Sequence, residues 1–142
     1  MFPVKDYMTR EIVTVDSGAS ALDASKIMKG KNTGYLIVLK RAQPAGIVTH
    51  GDIVMNVMAN DRDPSKTKIS EIMTAPLITV DPDIAVNEAV KLMVKHDIRR
   101  LPVVRDNIIY GIFRARDLIR HFDEYTDKVT RDIIRSVTCW PL

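Results

Sequence analysis

The chain has 142 residues, 46% hydrophobic, 27% charged and 6% aromatic, which excludes whole-chain disorder and describes one globular module able to build a core without staples. Its single cysteine, Cys139, excludes an internal disulfide or a Cys-based metal cluster and fits a reducing compartment. The longest apolar run, Tyr35 to Leu39, is far short of the ~20 residues that span a bilayer, and no leader pattern follows Met1, so a cytoplasmic protein with no membrane partner is expected.

In chain order, Ser20 with Asp23 predicts a capping box and a helix over 21–29, stopped by Gly30. The run from Tyr35 to Leu39 and the segment Gly46-Ile47-Val48 predict a pair of buried strands, and a second helix is expected from near Asp52. Asn60 to Lys66 is rich in turn formers and lacks apolar periodicity, as a linker should. Val86, Ala89, Val90 and Met93 stand at i, i+3, i+4 and i+7, one face of a helix. Leu101 to Val104 and Ile108 to Phe113 give a second strand pair, and another helix follows near Asp117. The tail carries Val129, Ile133, Ile134 and Val137 roughly on one helical face, expected to cover the module or a partner.

These elements repeat. A shift of 65 positions aligns residues 4–53 with 69–118 without a gap, placing Met8-Thr9 on Met73-Thr74, Thr14-Val15-Asp16 on Thr79-Val80-Asp81, Gly46-Ile47 on Gly111-Ile112 and Asp52 on Asp117. Each repeat is expected as strand, helix, strand, strand, helix. The expected division is repeat 1 over 1–60, a linker over 61–68, repeat 2 over 69–125 and a helical tail over 126–142. The net charge of +3 is uneven: residues 91–120 hold eight basic side chains against three acidic ones. Such a stretch attracts anions.

The segment Gly46-Ile47-Val48-Thr49-His50-Gly51-Asp52-Ile53, with Tyr7-Met8-Thr9, Ile72-Met73-Thr74 and Ile98-Arg99-Arg100-Leu101-Pro102-Val103-Val104, resembles the CBS domain, named after cystathionine beta-synthase, in the tandem arrangement called a Bateman module. The resemblance covers roughly residues 1–125. It implies an α+β fold in which two repeats pack through their sheets about a pseudo-twofold axis and leave two clefts. It further implies adenosine-containing ligands such as AMP, ADP, ATP or S-adenosylmethionine, and association as a disk-like homodimer. A cleft in this family takes its Asp motif from one repeat and its base-holding strands from the other. On that pattern Thr14, Val38, Ile47, Thr79, Val103 and Ile112 join the candidate ligand-binding set, with His50 inside the motif. Basic residues before the second strand contact phosphates in similar proteins, a role that falls on Arg99 and Arg100.

The residue types support this chemistry directly. A carboxylate accepts several hydrogen bonds at once, so Asp52 or Asp117 is suited to the two vicinal hydroxyls of a ribose. Thr49, at a strand-to-helix junction, is suited to a phosphate, helped by backbone donors at the helix start. The same Thr49 and Asp52 also satisfy a capping box, a purely structural role. Arg114 stands where the pattern has Thr or Ser. Either it fills the cleft or its planar fork, with Arg116 and Arg99 nearby, grips a phosphate, the outcome expected here. Surface ion pairing with Asp97 or Asp106 is the alternative for these arginines. The two clefts are therefore expected to be unequal.

His50, His96 and His121 are scattered, so no metal site is expected, nor any cofactor beyond the nucleotide ligand, nor a catalytic residue. Met8, Met28, Met73 and Met93 occupy equivalent places as core packing. The expected function is a non-enzymatic sensor of an adenosine-containing ligand that signals to a protein partner. Some members of the family regulate an attached enzyme such as IMP dehydrogenase, but this chain has no room for a catalytic barrel. The alternatives are a nucleic-acid-binding protein using the basic 91–120 region, which the scarcity of aromatics opposes, and a ligand-free dimerisation scaffold.

Overall fold

The structure, a computed structural model, describes residues 2–121 and 128–138, with the side chains of 128–132 outside the description. The chain divides into two compact units whose limits are not those of the sequence repeats. One comprises Ile12–Ile78; the other joins Met1–Glu11 to Thr79–Leu142. Each repeat thus surrenders its opening segment to the other unit.

In the unit Ile12–Ile78, β1 (Thr14–Asp16) runs parallel to β2 (Tyr35–Lys40), which pairs antiparallel with β3 (Gln43–Thr49). Between β1 and β2 lies α1 (Ala21–Lys31), opened by the expected capping box: Ser20 Oγ accepts from Asp23 N (3.0 Å) and Asp23 Oδ2 from Ser20 N (3.4 Å). Gly30 does not stop this helix. The stop is Asn32, whose left-handed φ of 51° lets the Thr33 amide close on Met28 O at 3.0 Å. After β3 the chain enters α2 (His50–Ile53), continued by a π-helical turn, Val54–Met58. Val15, Ala24, Met28, Leu36, Val38, Val48, Ile53 and Val57 form the core, with Ile69 and Ile72 from the segment after the linker. Within the linker Asp63 Oδ1 accepts from the amide and hydroxyl of Ser65 (2.9 and 2.7 Å), a side-chain-stabilised turn.

The segment after the linker is fixed by β3. Ile47 and Thr74 exchange both backbone hydrogen bonds, at 3.0 and 2.9 Å. Gly46 is required by this approach, since a Cβ there would lie 2.6 Å from Thr74 O.

The second unit repeats the design. Its sheet is the antiparallel hairpin β4 (Arg100–Arg105) and β5 (Ile108–Arg114), with a bulge at the position equivalent to that between β2 and β3. The first strand expected here shrinks to a single parallel bridge, with Val80 N bonded to Pro102 O and Val104 N to Val80 O. α3 (Val86–His96) buries the expected Val86, Ala89, Val90 and Met93 and ends at Asp97 with φ 53°. After β5 come α4 (Ala115–Arg120) and α5 (Lys128–Thr138). On α5, Ile134 and Val137 are buried but Ile133 is 46% exposed, which narrows the expected apolar face; the Val129 side chain and Cys139 lie outside the described residues.

The chain's opening segment docks on this unit as the post-linker segment docks on the first. Thr9 and Ile112 exchange two backbone bonds of 2.9 Å, and a Cβ on Gly111 would meet Thr9 O at 2.6 Å. The Gly-Ile pair of each repeat is therefore a landing place for a crossing backbone.

Candidate functional site

The motif residues gather where β3 passes into α2 and β5 into α4. At the first junction Thr49 is extended (φ −118°, ψ 163°) and caps α2. Its Oγ1 accepts from Asp52 N at 3.2 Å, and Asp52 Oδ2 accepts from Thr49 N at 2.8 Å. The capping box is thus formed, but it engages one of the roughly four lone-pair positions on the Asp52 carboxylate. Among the described residues Oδ1 of this half-buried side chain takes no hydrogen bond. Asp52 retains the capacity to bind a diol.

His50 follows the cap. Its amide donates to Gly34 O at 2.9 Å, and its Nδ1 lies 3.0 Å from the same oxygen. Because a carbonyl only accepts, Nδ1 is the donor in this contact. A Cβ on Gly34 would come within 2.4 Å of Nδ1, so any larger residue there would make the exposed His50 ring turn away.

The second junction is built differently. Ala115, equivalent to His50, has its amide on Arg99 O at 2.9 Å, so the bulky residue of this pair has moved from the helix to the bend before β4. Arg114 cannot accept a hydrogen bond, and only half of the capping box survives, Asp117 Oδ2 accepting from Arg114 N at 2.9 Å. The Arg114 fork closes on the same carboxylate, Nε to Oδ2 at 3.1 Å and Nη2 to Oδ1 at 2.8 Å. Thr9 Oγ1 donates to Oδ1 at 3.1 Å and accepts from Arg114 Nη2 at 2.8 Å. The expectation that this fork turns to a phosphate meets a guanidinium already held by Asp117. The pair is enclosed, with side-chain exposures of 15% and 3%.

The remaining candidates are scattered between surface and core. Thr14 and Thr79 are exposed, Ile47 is half-buried, and Val38, Val103 and Ile112 are 0%, 0% and 1% exposed, which leaves their side chains to the core. Arg99 and Arg100 are half-buried at the start of β4, and Arg116 is exposed on α4. Sequence reasoning missed Thr9 as a polar partner. Its signal was the recurrence of Met-Thr at 8–9 and 73–74 in fixed register with Gly111 and Gly46.

A second charged cluster lies outside the motif. Arg105 bonds Asp81 through Nε (3.0 Å) and Nη2 (2.6 Å) and also reaches Asp83, which accepts from Lys5 Nζ at 2.8 Å. Hydrogen bonds from Arg105 and the Asp83 amide hold the Asp81 carboxyl down to about 2, and those from Lys5 and Arg105 hold Asp83 below the ordinary carboxylate value. All four side chains are substantially exposed. Among the described residues no three His, Cys, Asp or Glu side chains are grouped to hold a metal ion, and no helix is long and apolar enough to cross a membrane.

Residues 4–59 and 69–124 each match the CBS domain family. The chain is 36% identical over 118 residues to the CBS domain-containing protein YhcV of Bacillus subtilis, covering 83% of this chain and 84% of that one. It is 34% identical over 119 residues to the uncharacterized protein MK0525 of Methanopyrus kandleri, of which the match covers 61%. A hexameric CBS-CP12 protein from bloom-forming cyanobacteria superposes with a TM-score of 0.79 at 33% identity, covering 93% of this chain and 79% of that one. Proteins with paired CBS domains are generally regulatory modules that bind adenosine-containing ligands, and no catalytic family is matched. The duplicated sequence, the duplicated junctions and the two family matches together make this chain a member of the CBS domain family, carrying two CBS domains in tandem.

Proposed function

We propose that the chain is a non-enzymatic sensor of an adenosine-containing ribonucleotide (AMP, ADP, ATP or S-adenosylmethionine), with Asp52 as the residue that holds the ribose. The observation that carries this is the half-buried Asp52 carboxylate, positioned by its cap bond to Thr49 N yet with Oδ1 unengaged. Vicinal hydroxyls are two donors at the spacing a carboxylate accepts. Thr49 and His50, adjoining the carboxylate in the same unit, are the proposed further contacts. Self-association is part of the reading. It is supported by the hexameric state of the cyanobacterial relative and by exposed Val54, Met55 and Met58 on the turn after α2.

The nucleic-acid alternative loses support at the basic stretch. Of its eight cations, Lys91, Arg105 and Arg114 are already paired with Glu88, Asp81 and Asp83, and Asp117. Calorimetric titration of ligand-stripped protein with AMP, ATP, S-adenosylmethionine and NAD tests the sensor reading. Asp52→Ala is expected to weaken binding of the preferred ligand roughly 10- to 100-fold, the range for a lost hydrogen bond to a charged group. Unchanged affinity contradicts the ribose contact.

A further inference from the structure

The two motif carboxylates are equivalent in sequence and unequal in chemistry. We infer that Arg114 acts as a built-in occupant of the second repeat's ribose-binding acid, so that Asp117 is closed to ribonucleotides and the chain offers a single diol-binding carboxylate, Asp52. The inference rests on the proposed role of Asp52 only for what the open site binds; the closure of Asp117 stands on its own geometry.

That geometry is a count of acceptors. A carboxylate presents roughly four lone-pair positions. Asp117 fills them with four donors: Arg114 N and Nε on Oδ2, Arg114 Nη2 and Thr9 Oγ1 on Oδ1, all within 2.8–3.1 Å. Among the described residues Asp52 has one donor on its carboxylate, Thr49 N. A ribose reaching Asp117 must displace the guanidinium and the Thr9 hydroxyl together. Displacement would also break the ion pair of an Arg114 side chain that is only 15% exposed. Thr9 belongs to the opening segment held on β5, so the occupant is clamped from two directions. The equivalent threonine at the open junction, Thr74, makes its two backbone bonds to Ile47, while the cap residue there is Thr49, too short to reach across the Asp52 carboxylate with a fork.

The cap residue supplies the donors that close the acid, so Arg114→Thr should open the Asp117 carboxylate. In calorimetric titrations with AMP, ATP and S-adenosylmethionine, each used separately, Arg114→Thr is expected to bind about one equivalent per chain more than the wild type, since it removes the two guanidinium donors, Nε and Nη2, from the Asp117 carboxylate. Adding Asp117→Asn should remove the gained equivalent. Thermal melts confirm that each variant is folded. Arg114→Gln, which keeps an amide donor but cannot fill all the positions, is the second variant and must show the same gain if Arg114→Thr does not fold. No gain with any of the three ligands in a folded variant overturns the inference. So does a wild-type chain that loses one of two bound equivalents on Asp117→Asn alone. A wild type that binds none of the ligands while Arg114→Thr binds one equivalent overturns the Asp52 reading and supports the closure of Asp117, and absence of binding in both overturns both.

Discussion

Asp52 and Asp117 occupy one place in the duplicated pattern, yet each side chain is governed by the residue three positions before it. Removing Asp117 takes a bidentate carboxylate away from the enclosed Arg114 guanidinium, so Asp117→Ala is expected to lower unfolding free energy by about 3 kcal/mol, measured by urea denaturation. Asp52→Ala removes a cap bond at a half-buried position and should lower it by about 1 kcal/mol. Equal losses would contradict the difference in their surroundings. The cluster of Lys5, Asp81, Asp83 and Arg105 makes a prediction of the opposite kind, a dependence on pH. Asp81 and Asp83 have folded values below the ordinary 3.8, so the unfolded chain binds protons first as acid is added. Their contribution is present above about pH 4 and is lost as pH falls toward the Asp81 value of about 2. Melting temperatures across that window should fall more steeply for the wild type than for Asp81→Asn, and parallel curves would contradict the assignment.

Elements are placed by residues that tolerate unusual backbone or close approach. Gly46 and Gly111 admit the crossing carbonyls of Thr74 and Thr9, so Gly111→Ala should push the opening segment from β5 and cost about 1–3 kcal/mol in unfolding free energy, the range for overpacking. The β4–β5 hairpin turns through Asp106 and Asn107 at φ 52° and 63°, residue types that accept the left-handed region, whereas β2–β3 turns through Arg41 and Ala42 at φ 52° and 62°. Ala42→Gly is therefore expected to stabilise the chain by about 1 kcal/mol in the same denaturation assay, and a loss of stability would contradict the turn geometry. The helix stop at Asn32 rather than Gly30 has the same physical origin. The left-handed closure needs a tolerant residue one turn beyond Met28, and Asn32 supplies it, while Gly30 fits an ordinary helical position with open space around it.

Across the whole molecule, the 65-residue repeat and the alternation of helical and strand patterns made both halves legible, because apolar spacing reports which face of an element is buried. The exchange of opening segments was not legible. Pairing of Thr9 with Ile112 and of Thr74 with Ile47 is a backbone contact across a long sequence separation, and only the recurring glycines betray it. At the site, Asp52, Thr49 and Asp117 could be singled out from spacing, but the direction of the Arg114 fork could not, since it depends on Thr9 being brought beside Asp117 by that exchange. The proposed self-association belongs to this scale as well. Light scattering should find the wild type larger than a monomer, and Met55→Glu, on the exposed turn after α2, should reduce that size; a monomeric wild type would contradict it.

The central claim is that a ribose diol is held by the Asp52 carboxylate, and the most direct measurement is a comparison of AMP with 2′-deoxy-AMP by calorimetry. The wild type should prefer AMP by about tenfold or more, the effect of one hydrogen bond to a charged group, and Asp52→Asn should erase the preference. Equal affinity of the wild type for the two nucleotides would contradict the account.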